Sequence, residues 1–140
     1  MARIKIDMPE KFLTEIILPV RISDINYGNH LGNDSMVGIL HEARIHWLAQ
    51  LGYTELDIEG LGIIMSDLAV EFKQEAFYGD QLNIKIAVGE IGRVSFELYY
   101  QVFNQHATEI AKAKTGMVCY DYSAKKISNL PEAFINRLKD

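Results

Sequence analysis

Three stretches of the chain alternate apolar and polar residues with a period of two. Leu68, Val70 and Phe72 alternate with Ala69, Glu71 and Lys73. Leu82, Ile84, Ile86 and Val88 alternate with Asn83, Lys85 and Ala87. Val94, Phe96, Leu98, Tyr100 and Val102 alternate with Ser95, Glu97 and Gln101. A period of two predicts strands with one face on a core and the other nearer water. Residues 90–93 and 104–106 are short polar connections, so neighbouring strands should run antiparallel. Residues 12–22 read as a further strand in which Pro19, lacking an N–H, marks an edge position or a bulge. A last strand is expected over residues 109–122, and Pro131 should open a short helix over residues 132–138.

Between the first strand and the rest, the period changes. Met36, Leu40, Ala43 and Trp47 recur at helical spacing, and Val37, Ile39, Leu48 and Leu51 widen that row. A helix so apolar should be wrapped on several sides. Asn33 or Asp34 is placed to cap its start and Gly52 to stop it. Before it, residues 23–32 are rich in Asp, Asn, Gly and His and are expected to be irregular. Strand, long helix, four strands and short helix make an α+β fold, and 140 residues suit one domain spanning 1–140.

The formal charge of −5 offers no basic field, which argues against nucleic acid or an anionic membrane as partner. No segment reads as a signal peptide or a membrane span, so a cytoplasmic protein is expected. The one cysteine, Cys119, excludes an intramolecular disulfide and is expected to be an inert, part-buried thiol. Four scattered histidines give no metal-ligand spacing, so no metal is expected.

Four segments carry a resemblance. They are the loop Val20-Arg21-Ile22-Ser23-Asp24-Ile25-Asn26-Tyr27-Gly28-Asn29-His30-Leu31-Gly32-Asn33, the helix body His41-Glu42-Ala43-Arg44 with Trp47-Leu48 and Leu51-Gly52, the turn Ala76-Phe77-Tyr78-Gly79-Asp80-Gln81-Leu82, and Ala111-Lys112-Ala113 through Tyr120-Asp121 to Leu130-Pro131-Glu132. In this order they resemble the hotdog-fold acyl-CoA thioesterase superfamily of the 4-hydroxybenzoyl-CoA thioesterase type. The resemblance implies a central helix wrapped by a curved antiparallel sheet of about five strands. It also implies hydrolysis of an acyl-CoA or other acyl thioester without a cofactor. The expected assembly is a homodimer or dimer of dimers, with the site at the subunit interface near the helix N-terminus and sheets joined edge to edge. A large apolar helix and unpartnered edge strands point the same way.

Thioester hydrolysis needs an activated nucleophile and donors for the developing oxyanion. The helix start at Gly32 and Asn33 offers free N–H groups, and Gly28 and Gly32 let a carbonyl approach the backbone. Tyr27, Gly28, Asn29, Gly32 and Asn33 are therefore the substrate-binding candidates. The family loop carries two aspartates one residue apart; this chain keeps Asp24 but has Asn26 where the second, the base or nucleophile, would stand. An amide cannot act as a base, though it can orient water. Plant-type acyl-carrier-protein thioesterases show a related pattern, onto whose histidine and glutamate His30 and Glu75 fall. The catalytic candidates are thus Asn26, His30, Asp24 and Glu75. Asp24 is expected either to act on substrate or to fix the loop through an Asx-turn, from where it would also polarise His30. Loss of the second carboxylate leaves open a non-catalytic thioester-binding protein, and the fold also admits dehydratases.

Overall fold

The computed structural model describes residues 3–139. Strand β1 (Thr14–Pro19) leads through a single 3₁₀ turn, Ile22–Asp24, to helix α1 (Asn33–Gln50). Strands β2 (Gly62–Phe72), β3 (Gln81–Ile91), β4 (Ser95–Phe103), β5 (Glu109–Asp121) and β6 (Lys126–Ile127) follow, and helix α2 (Glu132–Leu138) ends the described chain. The six strands form one antiparallel sheet ordered β1-β3-β4-β5-β2, with β6 added to the end of β5. This is the expected α+β hotdog architecture, with a two-residue sixth strand added.

Period-two patterning decides which face is covered. Leu82, Ile84 and Ile86 of β3, Phe96, Leu98, Tyr100 and Val102 of β4, and Ala113, Met117 and Cys119 of β5 are all buried. They meet Met36, Ile39, Leu40, Ala43, Trp47 and Leu48 of α1. Each large side chain removed from water in this layer contributes about 1.5–3 kcal/mol. Phe134 of α2 closes one end of the core, its ring 5.4 Å from Phe96 and 6.4 Å from Trp47. Cys119 is buried there, and burial pushes its thiol up, as suits an inert core residue.

Several sequence expectations need correction. Neither Asn33 nor Asp34 caps α1: the N-cap is Gly32, with no side-chain hydrogen bond. Gly32 donates its N–H to the Asp24 carbonyl at 3.0 Å while its own carbonyl accepts from Met36, so the incoming loop fixes the helix start and leaves its first amides uncapped. Strand β1 covers only part of residues 12–22, and Pro19 is its last residue on a sheet edge. Strand β2 starts six residues before Leu68, because a bulge between Met65 and Asp67 shifts the phase and hides the alternation. The bulge is held by Asp67, whose Oδ1 accepts the Gly116 N–H at 2.7 Å. The helix also needs less wrapping than its composition implies. The sheet already covers its main apolar row, leaving Ile45 as its exposed large apolar residue at 39%.

Candidate active site

The loop from Val20 to Gly32 is folded by short polar residues bonding their own backbone. Asp24 is 5% exposed, and its Oδ2 accepts the Arg21 backbone N–H at 2.8 Å. The Arg21 guanidinium reaches the same carboxylate at 3.3 Å, but that arginine is 67% exposed, so the pair adds little stability. Asp24 therefore closes the 3₁₀ turn. It lines a separate hollow with Ser35, Gly38 and Glu42 and is not the partner of His30. The Asx-turn expected of Asp24 belongs to Asn26, whose Oδ1 accepts the Gly28 N–H at 2.9 Å. Asn26 N–H bonds the His30 carbonyl at 2.9 Å, which reverses the chain through Asn29 at φ 66°. Tyr27 and Asn29 project from the tip into solvent.

His30 points back from this turn. Its Nδ1 lies 3.2 Å from the Leu31 carbonyl oxygen, which can only accept, so Nδ1 is the donor of that bond and Nε2 makes no hydrogen bond among the described residues. A methyl group placed on Gly28 would lie 3.3 Å from both His30 Nε2 and Asn26 Oδ1, so imidazole and amide flank that glycine. A cavity of about 460 Å³ opens at this point. His30, Asn33 and Glu75 line it, together with Phe72 and Phe77 and, at its base, Leu31, Met36, Ala76 and Ile110. The first intrahelical bond of α1 runs from Met36 to Gly32, so the amides of Asn33, Asp34 and Ser35 have no acceptor among the described residues. Free N–H groups and the positive end of the helix dipole thus lie beside the cavity. The Leu31 N–H donates to the Ala76 carbonyl at 2.8 Å, and Val20 exchanges bonds with Asp80 and Gly79. These bonds fix the histidine loop against the turn that carries Glu75.

Of the sequence candidates, then, His30, Glu75 and Asn33 share one cavity, Asn26, Gly28 and Gly32 stand beside them, and Asp24, Tyr27 and Asn29 do not line it. One buried polar cluster escaped the sequence reading. Arg44 of α1, 5% exposed, donates to Glu55 at 2.7 Å and to the Tyr100 hydroxyl at 3.1 Å, and Tyr100 pairs with Thr115 at 2.8 Å. His41 meets the other Glu55 oxygen at 2.8 Å. Burial pushes the Glu55 carboxyl up, but hydrogen bonds from Arg44 and His41 outweigh it and hold the group below its ordinary value. The available signal was an arginine within an apolar row, between Ala43 and Trp47, which demands a buried partner. Glu42 is 55% exposed and lies 3.4 Å from His46.

The family model described as the thioesterase-like superfamily matches residues 20–138. The chain belongs to this superfamily. A 1,4-dihydroxy-2-naphthoyl-CoA hydrolase of Microcystis aeruginosa is 30% identical over 101 residues, spanning 70% of this chain and 72% of that one. The crystal structure of a 1,4-dihydroxy-2-naphthoyl-CoA thioesterase from Synechocystis superposes with a TM-score of 0.82 at 19% identity, covering 90% of this chain and 95% of that one. A gentisyl-coenzyme A thioesterase superposes with a TM-score of 0.78 at 19% identity, covering 89% and 98%. The thioesterase resemblance carried by the loop, helix and turn motifs is confirmed, and thioester hydrolysis is the activity for which these relatives are named. Among the described residues, no helix is long and apolar enough to cross a membrane, and no group of three His, Cys, Asp or Glu is placed to hold a metal.

Proposed function

We propose that this thioesterase-like protein hydrolyses acyl-CoA thioesters in the cavity between His30, Asn33 and Glu75. The observation that carries the reading is the His30 ring. Its Nδ1 is held by a backbone carbonyl, its Nε2 has no hydrogen-bond partner among the described residues, and the residue lines a cavity beside a helix N-terminus. Water bound to Nε2 loses its proton to the imidazole as its oxygen bonds the thioester carbon. The oxyanion formed takes a hydrogen bond from the Asn33 N–H. Collapse breaks the C–S bond, and the thiolate leaves with the proton returned by His30. Glu75 stabilises the transient imidazolium. The Asn26 oxygen is fixed by Gly28, which leaves its NH₂ to orient the water.

We further propose a homodimer joined along β2. Among the described residues that strand pairs only with β5, and Ile64, Met65 and Phe72 are exposed on it. Phe72 also lines the cavity, so a second copy on this edge lies next to the site. A second reading, a binder that does not hydrolyse, is favoured by Asn26 alone, since its amide is no base and its oxygen already serves the turn.

Free-thiol release from a panel of acyl-CoA esters decides between them. His30→Ala and Glu75→Gln should each lower kcat at least roughly tenfold while leaving the fold intact by circular dichroism. Release that is unchanged in both variants removes these residues from the mechanism. No release from any ester, with retained binding, establishes the binder.

A further inference from the structure

Among the described residues that line the cavity there is one carboxylate, Glu75, and one side-chain cation, Lys73. Lys73 directly follows β2 and continues its ladder, its N–H bonding the Ile110 carbonyl at 2.8 Å. Alternation along the strand puts its side chain on the same face as Glu71, and the ammonium meets Glu71 Oε2 at 2.8 Å. The other Glu71 oxygen accepts the Ile6 N–H at 3.1 Å, which ties the N-terminal segment to this rim. Lys112 of β5 stands directly opposite Glu71 in the strand register and on the same face. Hydrogen bonds from Lys73 and Ile6, with the charge of Lys112, hold the Glu71 carboxyl below its ordinary value. One carboxylate thus stands between two ammonium groups and cannot neutralise both. An ammonium has three N–H donors, of which Glu71 engages one on Lys73. The Lys73 side chain is 36% exposed and that of Glu71 11%, so the ammonium reaches solvent over a largely covered carboxylate.

We propose that Lys73 and Lys112 seat the diphosphate at the end of the pantetheine arm of coenzyme A, outside the cavity that holds the thioester. The proposal rests on the hydrolytic reading above, which puts the carbonyl oxygen at the Asn33 N–H. The thiol arm then leaves by the open side of the cavity, and Lys73 is the cation on its rim. With a formal charge of −5, the chain as a whole repels a polyanion, so an acyl-CoA needs a local cluster of cations to be held. Lys112 adds the second charge at the one place where the register sets it beside Lys73, across Glu71.

The test compares ligands that differ in their phosphates. Calorimetry on the wild type should show coenzyme A binding at least roughly tenfold more tightly than pantetheine, an advantage that shrinks as salt rises. 4′-Phosphopantetheine should keep most of that advantage. Replacing both lysines, Lys73→Ala with Lys112→Ala, should remove most of it while pantetheine binds as before. With one acyl group on each thiol, the double variant should raise KM for the CoA ester at unchanged kcat and leave the pantetheine ester unaffected. Pantetheine bound as tightly as coenzyme A overturns the proposal, as does an advantage that survives in the double variant, shown to be folded by circular dichroism. 4′-Phosphopantetheine bound no better than pantetheine overturns it too. If coenzyme A binds through the two lysines but no ester is cleaved, hydrolysis fails and the phosphate seat stands. If CoA and pantetheine esters are cleaved equally well, the reverse holds.

Discussion

Exchanging the Asn26 amide for a carboxylate preserves its role in the turn, because either side chain presents an oxygen to the Gly28 N–H. Asn26→Asp should therefore fold normally, and its effect should be on chemistry. The new charge stands beside His30 Nε2 across Gly28. A nearby carboxylate favours the protonated imidazole, which cannot take a proton from water. The acid limb of kcat against pH should accordingly move to higher pH in Asn26→Asp. If the carboxylate instead takes over as base, turnover rises by ~10²–10⁴-fold at neutral pH and the limb moves to lower pH. The direction of that shift identifies the base.

At the scale of elements, the Arg44–Glu55 pair ties α1 to the segment before β2, and Tyr100 and Thr115 extend it into the sheet. Because the Glu55 carboxyl is held below its ordinary value of 4.5, it contributes stability that is present above that value and lost as pH falls below it. Glu55→Gln leaves Arg44 buried without its counter-charge. At pH 7 it should cost about 1–3 kcal/mol in urea unfolding, less than a fully buried pair because Glu55 is 21% exposed. The gap between variant and wild type should shrink as both are taken to pH 3. The same elements show what the sequence makes legible. The helix row, the three alternating strands and the Pro131 start of α2 were readable because one periodicity repeats along each. The beginning of β2 was not, because Ile63, Ile64 and Met65 break alternation ahead of a bulge whose repair by Asp67 involves a residue 49 positions away. His30 and Glu75 could be nominated from the motifs. That Asn26 rather than Asp24 would form the Asx-turn depended on which backbone amide each side chain met after folding.

On the whole molecule, an edge strand that pairs with β5 alone among the described strands and exposes Ile64, Met65 and Phe72 should not remain open. Light scattering at micromolar concentration should give at least twice the 15.9 kDa of one chain. A charged residue at Met65 should weaken that association without unfolding the core, since the side chain is 43% exposed in the single chain. A monomeric wild type that still cleaves thioesters rules out any need for a second copy at the site. The other sheet edge, β1, ends in Pro19, whose missing N–H makes it a poor template for further strands.

The bonds that join Leu31 to Ala76 and Val20 to Gly79 and Asp80 have a consequence for design. Residues 20–32 hold their shape partly through a turn more than forty positions away. They are not a portable cassette. Grafted alone onto another hotdog scaffold, the histidine loop would lack the backbone acceptors that set its tilt. A transplant has to move both segments together and keep the spacing between β2 and β3.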